Sequence, residues 1–159
     1  MNDIEKKLEA LKAEFLGKLE ELQKEEPKPW KPEVGEKYFT IENGVDAVQY
    51  IYYGDDIDAS NIPSGNCFPT RERAEQVAKK MRLLLRLEQL HDMICPDYVP
   101  DYKGDETKYH LYFSHVQGKY EVSCSTSWEN PCMVVFDTEK NAQKAAEILN
   151  KELTSRRFG

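Results

Sequence analysis

One short pattern occurs twice in this chain and limits its folds more than any other feature. Phe68-Pro69-Thr70 followed by Ala74 and Ala78 matches Phe136-Asp137-Thr138 followed by Ala142 and Ala146, at a constant offset of 68 residues. A Phe closing a buried strand, a Thr able to cap a helix and two alanines one turn apart describe a strand-to-helix junction with the helix close on the sheet. Upstream of the first junction lie Lys37-Tyr38-Phe39-Thr40-Ile41, the turn signal Asn43-Gly44, Val48 to Tyr53, and Asn66-Cys67-Phe68. Upstream of the second lie Lys108 to Phe113, Gln117-Gly118, Tyr120 to Ser123, and Met133 to Phe136. Asn-Gly tolerates positive φ at both positions, so it favours a hairpin. The expected class is α+β: an N-terminal amphipathic helix (1–26), then two tandem related βββα units with antiparallel sheets (27–96 and 97–159). The competing reading is that any two strand–helix junctions look alike.

Residues 3 to about 25 read as one helix with Asp3 at its start. Ile4, Leu8, Leu11, Phe15, Leu19 and Leu22 recur at spacings of three and four, with Glu and Lys on the other faces. So narrow a stripe cannot form a core alone. Leu8, Leu11, Phe15, Leu19 and Leu22 are therefore expected to pack on the body or to mediate oligomerisation. Pro27 ends the helix. The helix beginning near Thr70 should be the longer of the two, since Val77 to Leu90 keep the helical period until Pro96.

Composition excludes several classes. With 40% hydrophobic and 11% aromatic residues the body should fold. A net charge of −7 disfavours direct nucleic-acid binding and suits a partner with a basic surface. No stretch reaches the length of a membrane span, and the N-terminus lacks the apolar core of a signal peptide. The expected location is the cytoplasm of a bacterial host cell, with Cys67, Cys95, Cys124 and Cys132 as free thiols.

No constellation carries chemistry. His91 and Cys95 share one helix face, but no paired short Cys spacing completes a zinc site. Asp56, Asp58 and Ser60 open like a calcium loop, yet Asn61 stands where glycine is needed and the closing acid is missing. Nucleophile elbows, phosphate loops and dinucleotide fingerprints are all lacking. The expectation is a non-enzyme with no cofactor, no metal and no catalytic residues.

Binding is what remains. One candidate surface is aromatic, formed by Tyr50, Tyr52, Tyr53, Tyr109, Tyr112 and Tyr120, against the plain alternative that Tyr favours strands. The other is acidic and tyrosine-tipped: Asp55, Asp56, Asp58, Tyr52 and Tyr53 with Asp97, Tyr98, Asp101, Tyr102, Asp105 and Glu106. Such a surface can imitate a nucleic-acid backbone toward a basic groove. A solvated linker is the alternative for residues 97–106.

Trp30-Lys31-Pro32, Gly35-Glu36-Lys37-Tyr38 and Gly65-Asn66-Cys67-Phe68-Pro69-Thr70 with Glu72, Ala74 and Glu75 resemble a pattern in small phage and prophage proteins of bacteria. Phe136-Asp137-Thr138 and the closing Arg157-Phe158-Gly159 fit it too, so the likeness covers roughly residues 30 to 159. It carries no catalytic motif. What it implies is a phage accessory protein that occludes a host defence complex of the CRISPR–Cas kind. A nucleotide or small-molecule sponge, with Lys37, Lys108 or Arg71 on phosphate, and a phage assembly adaptor are the alternatives.

Overall fold

A computed structural model describes residues 2–24, 27–44 and 46–157. The chain divides into two compact units, Met1–Pro32 and Glu33–Gly159.

The first unit holds α1 (Asp3–Gln23). Asn2, rather than Asp3, caps it. Its side chain accepts from the Glu5 N–H at 2.8 Å while the Glu5 carboxylate accepts from the Asn2 N–H at 2.7 Å, a reciprocal capping box. Asp3 instead sits in the first turn and pairs with Lys7 at 3.4 Å. No described residue of this unit covers the apolar stripe, whose exposure runs from 38% at Leu19 to 75% at Ile4.

The second unit begins with an antiparallel hairpin, β1 (Lys37–Glu42) and β2 (Asp46–Ile51). Asn43 and Gly44 take φ of 52° and 70° at its turn, as the dipeptide predicts. A short helix unforeseen in the sequence, α2 (Asp56–Asn61), leads to α3 (Arg71–Ile94). A second antiparallel hairpin, β3 (Lys108–Ser114) and β4 (Lys119–Ser125), follows, then β5 (Val135–Phe136) and α4 (Glu139–Arg157). The strand order of this sheet is β4-β3-β5. The fold is thus mixed α+β with four helices and two small antiparallel sheets among the described residues.

The first sheet has two strands, not the expected three. Its third element shrinks to a single antiparallel bridge from Phe39 to Phe68. The reason is local: the Asn66 side chain takes over one strand position. It accepts from the Ile41 N–H at 2.7 Å and donates to the Ile41 carbonyl at 3.1 Å.

Both helix starts form as the pattern requires, but only the second follows a strand. Thr70 and Thr138 each accept, through Oγ1, the N–H three residues on at 3.2 Å. Ala74, Ala78, Ala142 and Ala146 are completely buried. Phe136 is completely buried as well, whereas Phe68 is only partly buried because its bridge lies at the sheet edge. At 24 residues α3 exceeds the 19 of α4. It also serves two cores. Its first half packs Ala74, Val77 and Ala78 against Phe39, Ile41 and Ala47 of the first hairpin. Its second half brings Leu83, Leu84, Leu87, Leu90 and Ile94 to the core of Phe136, Ala142, Ala145 and Leu149.

Candidate partner-binding surfaces

The first acidic stretch is built around one inward carboxylate. Asp58, 2% exposed, accepts from the Tyr38 hydroxyl at 2.5 Å through Oδ1. Through Oδ2 it accepts the N–H groups of Tyr53, Gly54 and Asp55 at 2.9, 2.7 and 3.2 Å. Gly54 takes φ of 78°, which turns these N–H groups toward one oxygen. Burial alone would raise the Asp58 pKa, but the Tyr38 and backbone hydrogen bonds outweigh it and hold the carboxyl below its ordinary range. Tyr38 is pushed up by burial and by Asp58. Asp58 is therefore no contact residue, which corrects the sequence expectation: its oxygens are spent closing the turn that starts α2.

Asp55 caps α2 by accepting from Ile57 and Asp58, and stays exposed with Asp56. Tyr53 and Ile57 beside them are exposed too, while Tyr52 is half-buried. Acid and apolar surface thus coincide here, in Tyr53, Asp56 and Ile57. Ile57 escaped the sequence reading because a lone Ile among acids carries no period.

The second stretch departs further from expectation. Tyr98 packs against the core of Leu90 and Phe136, and burial, then Glu106, pushes its hydroxyl up to about 12. Tyr102 places its ring 5.1 Å from the Lys108 ammonium. Both tyrosines hold the loop to the body, so neither tips an exposed surface. Glu106 accepts the Asp101 N–H at 3.1 Å and Asp101 accepts the Lys103 N–H at 2.8 Å, so these acids brace the loop itself. Asp97 and Asp105 are exposed, and the exposed apolar side chain is Val99, at 84%. The two acidic stretches belong to different sheets, one following β2 and the other preceding β3.

The remaining tyrosines form no common face. Tyr50 and Tyr112 donate to cross-strand Glu42 and Glu121, whereas Tyr109 and Tyr120 pack on the core of the second sheet.

The face of the second sheet turned away from the helices carries a buried polar ladder. Lys108 lies opposite Ser125, and His110 is next along β3 on that face. Completely buried, the Lys108 ammonium donates to the carbonyls of Glu106 and Thr126 at 2.9 and 3.1 Å. Desolvation lowers the His110 pKa, and its ring meets Trp128 edge-on at 5.7 Å between centroids. His110 Nδ1 and Ser125 Oγ are buried without a hydrogen-bond partner. Lys108 is thus committed to the fold rather than free for phosphate. Arg71 is likewise engaged, donating to the Ala47 carbonyl at 2.9 Å with its guanidinium 5.5 Å from the Phe39 ring centroid. Of the three cations expected on phosphate, Lys37 stays exposed.

An open groove of about 480 Å³ is lined by Lys79, Lys80, Arg82 and Leu83 of α3, by Leu149 and Leu153 of α4, and by Tyr120. Arg86 crosses it to Glu152 at 2.5 Å.

His91 packs near the rings of Tyr98 and Phe136, and Cys95 is buried in the same core. Among the described residues no group of three or more His, Cys, Asp or Glu is placed to hold a metal ion, and no helix is long and apolar enough to cross a membrane. No family profile, curated protein or solved structure matches this chain.

Proposed function

We propose that this is a non-catalytic accessory protein that occupies a macromolecular partner with a basic surface, and that it does so as an assembly joined through α1. The observation that carries the proposal is the uncovered stripe of Leu8, Leu11, Phe15, Leu19 and Leu22 on a helix that forms a unit of its own. An isolated helix of this length is marginal in water, so its apolar face needs a partner. The contact surface of the body is then Tyr53, Asp55, Asp56 and Ile57, with Asp97, Val99 and Asp105 as a second patch. An exposed aromatic among carboxylates supplies both an apolar anchor and electrostatic steering.

The resemblance of residues 30–159 to small phage proteins makes a bacterial defence complex the partner to test first. Purified full chain is mixed with an RNA-guided nuclease complex and followed by gel filtration. Co-elution at low salt, lost on raising the salt and in Tyr53→Ala with Asp56→Lys, is the expected result. Co-elution indifferent to both changes, or none with any effector class, refutes the reading. Tight retention of a nucleotide would favour the sponge, for which Lys37 remains available.

We infer further that residues 27–96 and 97–159 are two versions of one βββα unit. Supporting this are the equal Thr caps, the buried alanine pairs, and the Phe68 bridge on β1 where β5 pairs with β3. Thr70→Ala and Thr138→Ala should then each cost about 1 kcal/mol, the ordinary value of such a cap.

A further inference from the structure

The pattern of charge beside the α1 stripe specifies how the helix pairs. Ile4, Leu8, Leu11, Phe15, Leu19 and Leu22 advance by an average of 3.6 residues, so the stripe runs straight along one face. One flank carries Lys7, Glu14 and Glu21 at intervals of seven; the other carries Glu5 and Lys12. When two such helices pair in parallel, a residue on the first flank faces the second-flank residue five positions on in its partner. That sets Lys7 against Lys12 twice, and brings Lys18, at the stripe's edge, toward its own copy. Glu14 and Asp3 of the same helix soften the contacts at Lys18 and Lys7, but no attraction across the pair offsets them.

When they pair antiparallel, first flank meets first flank. Full overlap of the stripes centres the pair near residue 13, with Ile4 facing Leu22 and Leu11 facing Phe15. Lys7, already paired with Asp3 of its own helix at 3.4 Å, then also faces Glu21 at both ends. Lys12 and Glu14 each meet their own copy near the centre, and Glu14 is already neutralised by Lys18 at 2.6 Å.

The ends of the helix argue the same way. Glu20 and Glu21 stand near the C-terminus, and the last turn holds no basic residue, a placement that opposes the helix dipole. Antiparallel pairing puts Glu21 beside the partner's N-terminal turns, where Lys7 and the positive dipole end lie together with Asp3 and Glu5. A two-fold pair demands a self-complementary patch, and this flank is one.

We propose that α1 joins two copies of this chain as an antiparallel helix pair, with Lys7 of each facing Glu21 of the other. This rests on the self-association proposed above and fixes its partner and geometry. The C-termini of the two helices then emerge roughly 30 Å apart, the length of 21 residues of helix. An assembly of this kind presents two bodies and gains by bivalent attachment.

Sedimentation of the full chain over a dilution series at low salt tests it. Glu21→Lys puts a cation in the last turn, which favours the helix itself, so any weakening comes from pairing. The expected result is a dissociation constant raised roughly tenfold, with Lys7→Glu added to Glu21→Lys recovering most of the loss. If Glu21→Lys tightens the pair or leaves it unchanged, or the double variant fails to recover, the antiparallel arrangement is overturned while self-association stands. If the wild-type chain is monomeric throughout, both fall.

Discussion

Replacing Phe136 by Ala removes the largest apolar side chain that is completely buried at the centre of the second core. Its ring sits among Leu90, Ala142, Ala145 and Leu149, with His91 at 6.1 Å between ring centroids. Two terms add: the apolar surface returned to water, and the cavity left where β5, α3 and α4 meet. The alanines cannot reach inward to refill that space, and β5 has only two residues with which to shift. The full range for a buried Phe, about 3 to 5 kcal/mol, therefore applies. A domain of this size is stable by about 5 to 15 kcal/mol, so the variant should fold but melt far earlier in urea. Unfolding can be followed by tryptophan emission, because Trp128 stands against His110 on the same sheet. Phe68→Ala is the internal comparison: partly buried and held by one bridge, it should lose roughly half as much. A loss below about 1.5 kcal/mol at Phe136, or a larger loss at Phe68, would refute this account of the two junctions.

Other perturbations separate structural from contact residues. His110 is held neutral by desolvation, with a folded pKa below that of the unfolded chain; folding stability should therefore be complete above about pH 6.5 and fall as pH drops below it. His110→Phe should flatten that part of the urea midpoint profile against pH. Asp58→Ala leaves the Tyr38 hydroxyl and three backbone N–H groups without their acceptor, so a loss of at least about 2 kcal/mol is expected by chemical denaturation. Asn66→Ala should cost about 1 to 2 kcal/mol by the same measurement, because both main-chain groups of Ile41 lose their partner.

The parts of the fold legible in the sequence are those that local chemistry decides. Thr70 and Thr138 cap helices, Asn43-Gly44 turns a hairpin and paired alanines seat helices wherever such residues stand. The parts that escaped depend on where a polar side chain turns. Asp55-x-x-Asp58 is a capping box, a signal that was present but obscured by its likeness to a calcium loop. Asn66 replaces a strand position with its side-chain amide, so the third strand of the first sheet could not be counted from apolar residues. Tyr98 and Tyr102 look alike in sequence to Tyr53, yet only Tyr53 faces outward. Pro96 and Pro100 break every period that would have told them apart. Asp55, Asp56, Asp97 and Asp105 are exposed, whereas Tyr98 and Tyr102 turn toward the body.

The claim on which the functional account depends is that α1 joins chains, and the mass of the full protein in solution tests it most directly. Light scattering on full-length chain and on residues 33–159, a unit with its own core, should give twice the 18.5 kDa chain mass for the first and a single copy for the second. A single-copy mass for the full-length chain at every concentration would contradict it.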